Sequence, residues 1–141
     1  MTTGLTDQER SAIEDKITRL YHDLQAEAAN LDADGVFAFT SDAYKLGIMS
    51  NGVFYATMDS YKSLIRDHFS HQERLEEEVI ELRAVALAPN AAVLVVEKTF
   101  TFYGKDGSTY TSPIVQTYVG AEVDGEWKFI HVHMSTPRRS E

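Results

Sequence analysis

The chain has 141 residues, 13 of them basic and 22 acidic, for a formal charge of −9, and it has no cysteine. Its length suits one ordinary domain, and a hydrophobic fraction of 43% is enough for a core. The charge argues against a nucleic-acid groove or an anionic membrane surface as partner, and the missing cysteines exclude disulfides, thiolate catalysis and cysteine-held metals.

The opening "MTTGLTDQER" contains no apolar signal region, and no apolar run approaches spanning length, so the expected location is cytoplasmic. Thr6 and Glu9 make a capping box. Behind them Ile13, Ile17, Leu20 and Leu24 form one helical stripe, predicting a helix from about Asp7 to about Ala29. Asn30 breaks it, and Asp32 caps a short second helix through Val36, Phe37 and Phe39. Asp32, Asp34 and Gly35 share a fragment of a calcium loop, but the other ligands are missing and the trio reads as cap and turn. A hairpin follows around Asn51-Gly52, a pair suited to a type I′ turn. Tyr61, Leu64, Ile65, His68 and Phe69 then mark a third helix.

Only strands follow. "LEEEVIELRAVAL" and "AAVLVVEKTFTFY" flank Pro89-Asn90, "YTSPIVQTYVGAEV" follows Asp106-Gly107, and "EWKFIHVHMS" follows Asp124-Gly125. The order α-α-β-β-α-β-β-β-β is α+β, with a bent antiparallel sheet wrapped on the long first helix. The domain is expected over residues 6–137, with 1–5 and 138–141 as tails; Arg138-Arg139, the one basic cluster, reads as solvated tail.

Two-residue turns would set the register. Tyr118 then faces His131, Gln116 faces His133, Glu97 faces Gln116 and Thr99 faces Ile114. Alternation puts Trp127, Phe129, His131 and His133 on one mixed face with Gln116, Tyr118, Glu97, Thr99 and Tyr103. The other face is greasy: Leu94, Val96, Phe100, Phe102, Val115, Val119, Ile130, Val132 and Met134, with Lys98 opposite Glu81. A single bulge would break this assignment beyond it. The mixed face is the expected pocket lining, although an apolar pocket with a polar subunit interface gives the same two stripes.

The candidate groups follow from that face. His131 and His133 lie about 7 Å apart along a strand. They either settle a buried strand by hydrogen bonding or shuttle protons. A metal would need a third ligand, Glu97 or His68, and none is assigned. Tyr118 beside an imidazole either polarises a carbonyl or is a core aromatic. Glu97, mid-strand among valines, reads as a base if buried. Glu81 and Lys98 read as a plain cross-strand pair. His68 is placed to cover the pocket mouth, and Gln116, Thr99, Trp127 and Phe129 to line it. Tyr21, Phe37, Phe39, Tyr44 and Tyr55 read as core.

Trp127, Phe129, His131, His133 and Ser135 at alternate positions, with "NLDADGVFAF" and the Asn-Gly hairpin upstream, resemble the SnoaL-like branch of the nuclear transport factor 2-like superfamily. The chain also resembles the association domain of calcium/calmodulin-dependent kinase. Phe129 stands where these endings usually carry an aliphatic residue. The resemblance spans about Thr6 to Pro137. It implies a cone-shaped α+β barrel of cystatin-like type, open at one end, and a homodimer packed through the sheet. The kinase domain's pocket arginines are not carried over, because the matching strand positions here hold Tyr118 and Met134. No motif aligns with the acid–tyrosine set of ketosteroid isomerases.

Relatives with this scaffold include isomerases, cyclases, dehydratases and binding modules, so fold does not decide between them. The expected role is binding a small hydrophobic molecule without a cofactor. The alternatives are an isomerase, cyclase or lyase moving protons through His131 or His133 with Tyr118 and Glu97 on a hydrophobic carbonyl compound, and a non-catalytic dimerisation module. Whether the protein is an enzyme stays open.

Overall fold

The computed structural model describes residues 4–137; the tail arginines Arg138 and Arg139 lie outside the described residues. Helix α1 spans Asp7–Ala29 and α2 Ala33–Phe37. The hairpin is β1 Ile48–Ser50 and β2 Val53–Tyr55, and α3 spans Met58–Ser70. The four long strands are β3 Gln72–Ala88, β4 Ala91–Gly104, β5 Thr109–Val123 and β6 Glu126–Ser135.

Local chemistry explains these bounds. The Thr6 hydroxyl accepts from the Glu9 N–H while Glu9 reaches back to the Thr6 N–H, so α1 starts on the capping box. It ends where Asn30 caps it and Leu31 turns to φ 57°. Asp32 caps α2 through the Gly35 N–H, so the aspartate fragment is a cap, as its sequence suggested. Asn51 and Gly52 both have positive φ, as a type I′ turn requires. Thr57 caps α3, and the Asp42 carboxylate accepts from the Met58 N–H at the same end.

The six strands form one curved, unclosed sheet in the order β2-β1-β6-β5-β4-β3, antiparallel except where β1 runs parallel to β6. α1 lies across one face, which we call the inner face. Its buried stripe of Ile13, Ile17, Tyr21 and Leu24 packs on Ala86, Ala92, Leu94, Val96, Tyr118, Phe129 and Val132. At Gly120 the helix comes so close that a Cβ would strike the Ile17 side chain. Phe129 and Tyr21 are fully enclosed, and their ring centroids lie 4.7 and 5.3 Å from that of Tyr118. Tyr44, expected in the core, is instead 54% exposed in the loop before β1, outside the hydrophobic cluster.

Bulges decide which residues face inward. In β6 the register slips between the pairs Val119↔His131 and Gly120↔Phe129, leaving Ile130 unpaired. Here β6 leaves one neighbour for another: Phe129 bonds with Phe39 and Ser41 of the preceding loop, and β1 then pairs from Val132 onward. In β3 the slips fall at Glu73, Ile80 and Leu87. Beside the last, the Ala86 N–H donates to the Glu14 carboxylate of α1 at 3.0 Å. Between β4 and β5 the turn is longer than the two residues expected: Tyr103 pairs with Thr109, and Gly107 sits at φ 86°, the left-handed position of a three-residue loop.

Candidate functional site

Between α1, α2, α3 and the inner face lies a cavity of about 250 Å³. Its walls are mostly apolar: Leu24, Ala28, Val36 and Phe37 from the first two helices, Ile65 and Phe69 from α3, and Leu75, Phe100, Phe102, Ile114, Val132 and Met134 from the strands. Ser50 and Asn51 reach it from the first hairpin, and Tyr61 from α3. The wall therefore draws on both predicted stripes: Phe100, Phe102, Val132 and Met134 of the greasy one, and Gln116 and Tyr118 of the mixed one. The expectation that the mixed face as a whole lines the pocket is overturned.

One polar cluster interrupts the apolar wall. Lys98 occupies the inward position between Val96 and Phe100, and its side chain is only 6% exposed. Its Nζ lies 2.5 Å from the Glu77 Oε2, whose side chain is 14% exposed, and donates to the Tyr21 hydroxyl at 2.8 Å. Tyr21 in turn donates to the Gln116 Oε1 at 3.3 Å, and Gln25 of α1 donates to the other Glu77 oxygen at 3.3 Å. Burial pulls the Lys98 pKa below its ordinary value, with the Glu77 carboxylate opposing the shift. Burial likewise pushes the Tyr21 and Tyr118 hydroxyls well above the ordinary phenol range. No buried side-chain nitrogen or oxygen among the described residues is left unpartnered, so the cluster is satisfied as it stands.

The residues singled out from sequence divide between the two faces. Tyr118, Gln116 and His68 line the cavity. His68 sits at its rim, edge-on to Phe102 with ring centroids 4.6 Å apart, and desolvation there pulls its pKa down. Phe129 and Trp127 belong to the core beneath α1, beside the cavity but not in its wall. His131, His133, Glu97 and Thr99 point the other way. The bulge at Ile130 shifts β6 by one residue, so Val132, not His131, faces Tyr118, and Met134, not His133, faces Gln116. The three-residue turn does the same for β4, setting Glu97 against Val115 and Thr99 against Pro113. His133 and Glu97 border an outer depression of about 430 Å³, more open than the cavity, with Glu81, Val95, Val115 and Thr117. The His131 Nδ1 lies 2.9 Å from the Gly47 carbonyl oxygen, tying β6 to the loop before β1. His68 is separated from both strand histidines by the sheet. Among the described residues no three His, Asp or Glu side chains converge as metal ligands.

Lys98, Glu77 and the Tyr21 hydroxyl were the groups that sequence reasoning missed. The inward position of Lys98 is legible, since it interrupts a period-two apolar run. Its partner is not: the bulges at Leu87 and Ile80 move Lys98 from Glu81 to a place opposite Val79, diagonal to Glu77. Glu77 itself hides in a run of three glutamates.

The profile of the SnoaL-like domain matches residues 17–139. The chain matches no curated protein sequence at a significant level. Among solved structures, a nuclear transport factor 2-like superfamily protein from Salmonella enterica is 15% identical with a TM-score of 0.79, covering 93% of this chain and 95% of its own. A protein of the same superfamily from Streptomyces avermitilis, provisionally named a dehydratase, is 11% identical with a TM-score of 0.79 over 92% and 99%. The association domain of C. elegans CaMKII is 18% identical with a TM-score of 0.72 over 93% and 100%. At these identities the likeness is one of fold.

Proposed function

Since the chain belongs to the SnoaL-like family, whose scaffold serves both catalysts and binding modules, we propose that it binds a small, neutral, largely apolar molecule bearing one oxygen function. The observation that carries this reading is the composition of the cavity wall. It is aliphatic and aromatic except for one cluster in which a single cation and a single anion cancel. An apolar body is held by the wall, and a few directed polar groups fix its orientation. A charged ligand would bring an uncompensated charge into a dry site, at a cost that the neutral cluster does not offset. The oxygen function has two classes of partner at hand, the Lys98 ammonium and the Gln116 amide.

The test is a panel of compounds read by thermal stability. Neutral aromatic ketones, aldehydes and alcohols stabilise the protein, by about 2.7 kcal/mol at a hundredfold excess over Kd, whereas the matching carboxylates do not. Ile65→Trp, which fills the cavity from a half-buried helix position, abolishes the shift without unfolding the protein. Equal stabilisation of parent and variant would place the ligand elsewhere and reject the reading.

A catalytic reading is favoured by one specific feature, the carboxylate–ammonium–phenol chain from Glu77 through Lys98 to Tyr21. It provides a proton donor and acceptor within one dry cavity. In that reading these groups take the role first given to His131 and His133, and the reaction class stays proton transfer on a hydrophobic carbonyl compound. The outer face of the sheet suits a second copy of the chain.

A further inference from the structure

We infer that Lys98 is an amine nucleophile that captures a small apolar aldehyde or ketone as an imine, with Glu77 carrying the proton; this rests on the binding reading above. Four observations point there. The Lys98 Nζ is the one primary amine in the cavity wall among the described residues. It enters between Val96 and Phe100, in a mostly apolar wall. Glu77 sits 2.5 Å away, within direct proton-transfer reach. Two of the three ammonium N–H groups are taken, by Glu77 and the Tyr21 hydroxyl, leaving the third for a ligand. A buried ion pair of this kind contributes little to stability compared with apolar residues of the same volume, so stability alone does not account for it. Desolvation of the amine also favours its uncharged, nucleophilic form.

The step balances within the cluster. Glu77 takes one proton from the Lys98 ammonium. The freed nitrogen lone pair attacks the carbonyl carbon, and the C=O π pair moves to oxygen. A proton passes from nitrogen to that oxygen, giving a carbinolamine. Glu77 then returns its proton to the hydroxyl, which leaves as water as the C=N bond forms. The product is a protonated imine and one water, with Glu77 again a carboxylate. No oxidant, reductant or further reactant is needed. The Tyr21 hydroxyl holds the Nζ in place throughout and acts as a positioning group.

The full chain is incubated at neutral pH with benzaldehyde and cyanoborohydride, which reduces an imine to a stable benzylamine, and the modified lysines are mapped by peptide mass spectrometry. Lys98 is benzylated at least about tenfold faster than the exposed Lys16, Lys45 and Lys105, as a buried amine with a depressed pKa beside a bound carbonyl should be. Lys98→Arg keeps the charge and removes the reactive amine. It loses the fast label while the exposed lysines label as in the parent. The parent's own map does not depend on that variant folding. If benzaldehyde and benzyl alcohol both stabilise the parent but Lys98 labels no faster than the surface lysines, the imine is rejected and the binding reading stands. If neither compound stabilises the protein and Lys98 is unlabelled, both fall.

Discussion

At the scale of single residues, the informative feature is a lysine at an inward strand position. Its head group is held by Glu77, Tyr21 and a low-dielectric wall, and that arrangement has a testable energetic signature. Glu77→Leu strands a buried ammonium and costs about 3–5 kcal/mol in urea denaturation, whereas Lys98→Met combined with Glu77→Leu is neutral or stabilising by about 1–4 kcal/mol. A double variant as unstable as the single would mean that the pair serves the fold. The buried phenols give a second signature, in alkali. Tyr21, Tyr61 and Tyr118 all have raised pKa values, so above about pH 10 the unfolded chain releases protons that the folded one keeps. Stability then falls with pH, by up to about 1.4 kcal/mol per pH unit for Tyr21 and Tyr118 each. Lys98 acts in the opposite sense and earlier. Between its depressed folded value and about 10.4 the unfolded chain holds the extra proton, and stability rises with pH. Denaturation midpoints measured from about pH 9 to pH 11.5 should therefore bend downward past pH 10. Tyr118→Phe should lessen that slope, since it removes one of the strongly shifted phenols. An unchanged slope would show that Tyr118 ionises freely in the folded protein.

At the scale of elements, several bounds fall where local chemistry says, although α2 stops at Phe37, short of Phe39, and β3 starts at Gln72, ahead of Leu75. The capping box at Thr6, the Asp32 cap, the Asn51-Gly52 turn and the Asp124-Gly125 turn act within a few residues, and so they are legible in sequence. Bulges are different. Ile130, Ile80 and Leu87 carry no sequence mark, because a bulge answers to the strand it pairs with and to what packs on it, not to the residues on either side of it. In β6 the slip lets one strand pair first with the loop at Phe39–Ser41 and then with β1, and it turns His131 and His133 to the outer face. His131 closes the seam through Gly47, whose φ of 66° and crowding against the Tyr55 carbonyl leave no room for a side chain. Gly47→Ala should cost at least about 1 kcal/mol from backbone strain alone. His131→Ala should cost about 0.5–1.5 kcal/mol and leave ligand stabilisation intact. Loss of ligand binding in His131→Ala with an unchanged Tm would return that imidazole to the site.

At the scale of the whole molecule, the sheet has two unlike faces. Its inner face is sealed by α1 and hollowed at one end. Its outer face exposes Val85, Leu87, Val95 and Val115, the last at 50%, beside the depression bordered by Glu97 and His133. An apolar stripe of this kind on a sheet is suited to burial against a second copy. Val115→Glu is expected to shift sedimentation from dimer to monomer while the cavity keeps its ligand response; a parent that sediments as a monomer would reject the assembly. By itself the sequence determined the order of the elements, the α+β class and the branch of the superfamily, because capping, turn chemistry and periodicity are properties of neighbouring residues. Only the tertiary structure decided which residues of each strand enclose the cavity and that Lys98 meets Glu77 and Tyr21. One unpaired residue in a strand reverses the facing of every residue beyond it, and where that residue falls is set by contacts between strands, not along them.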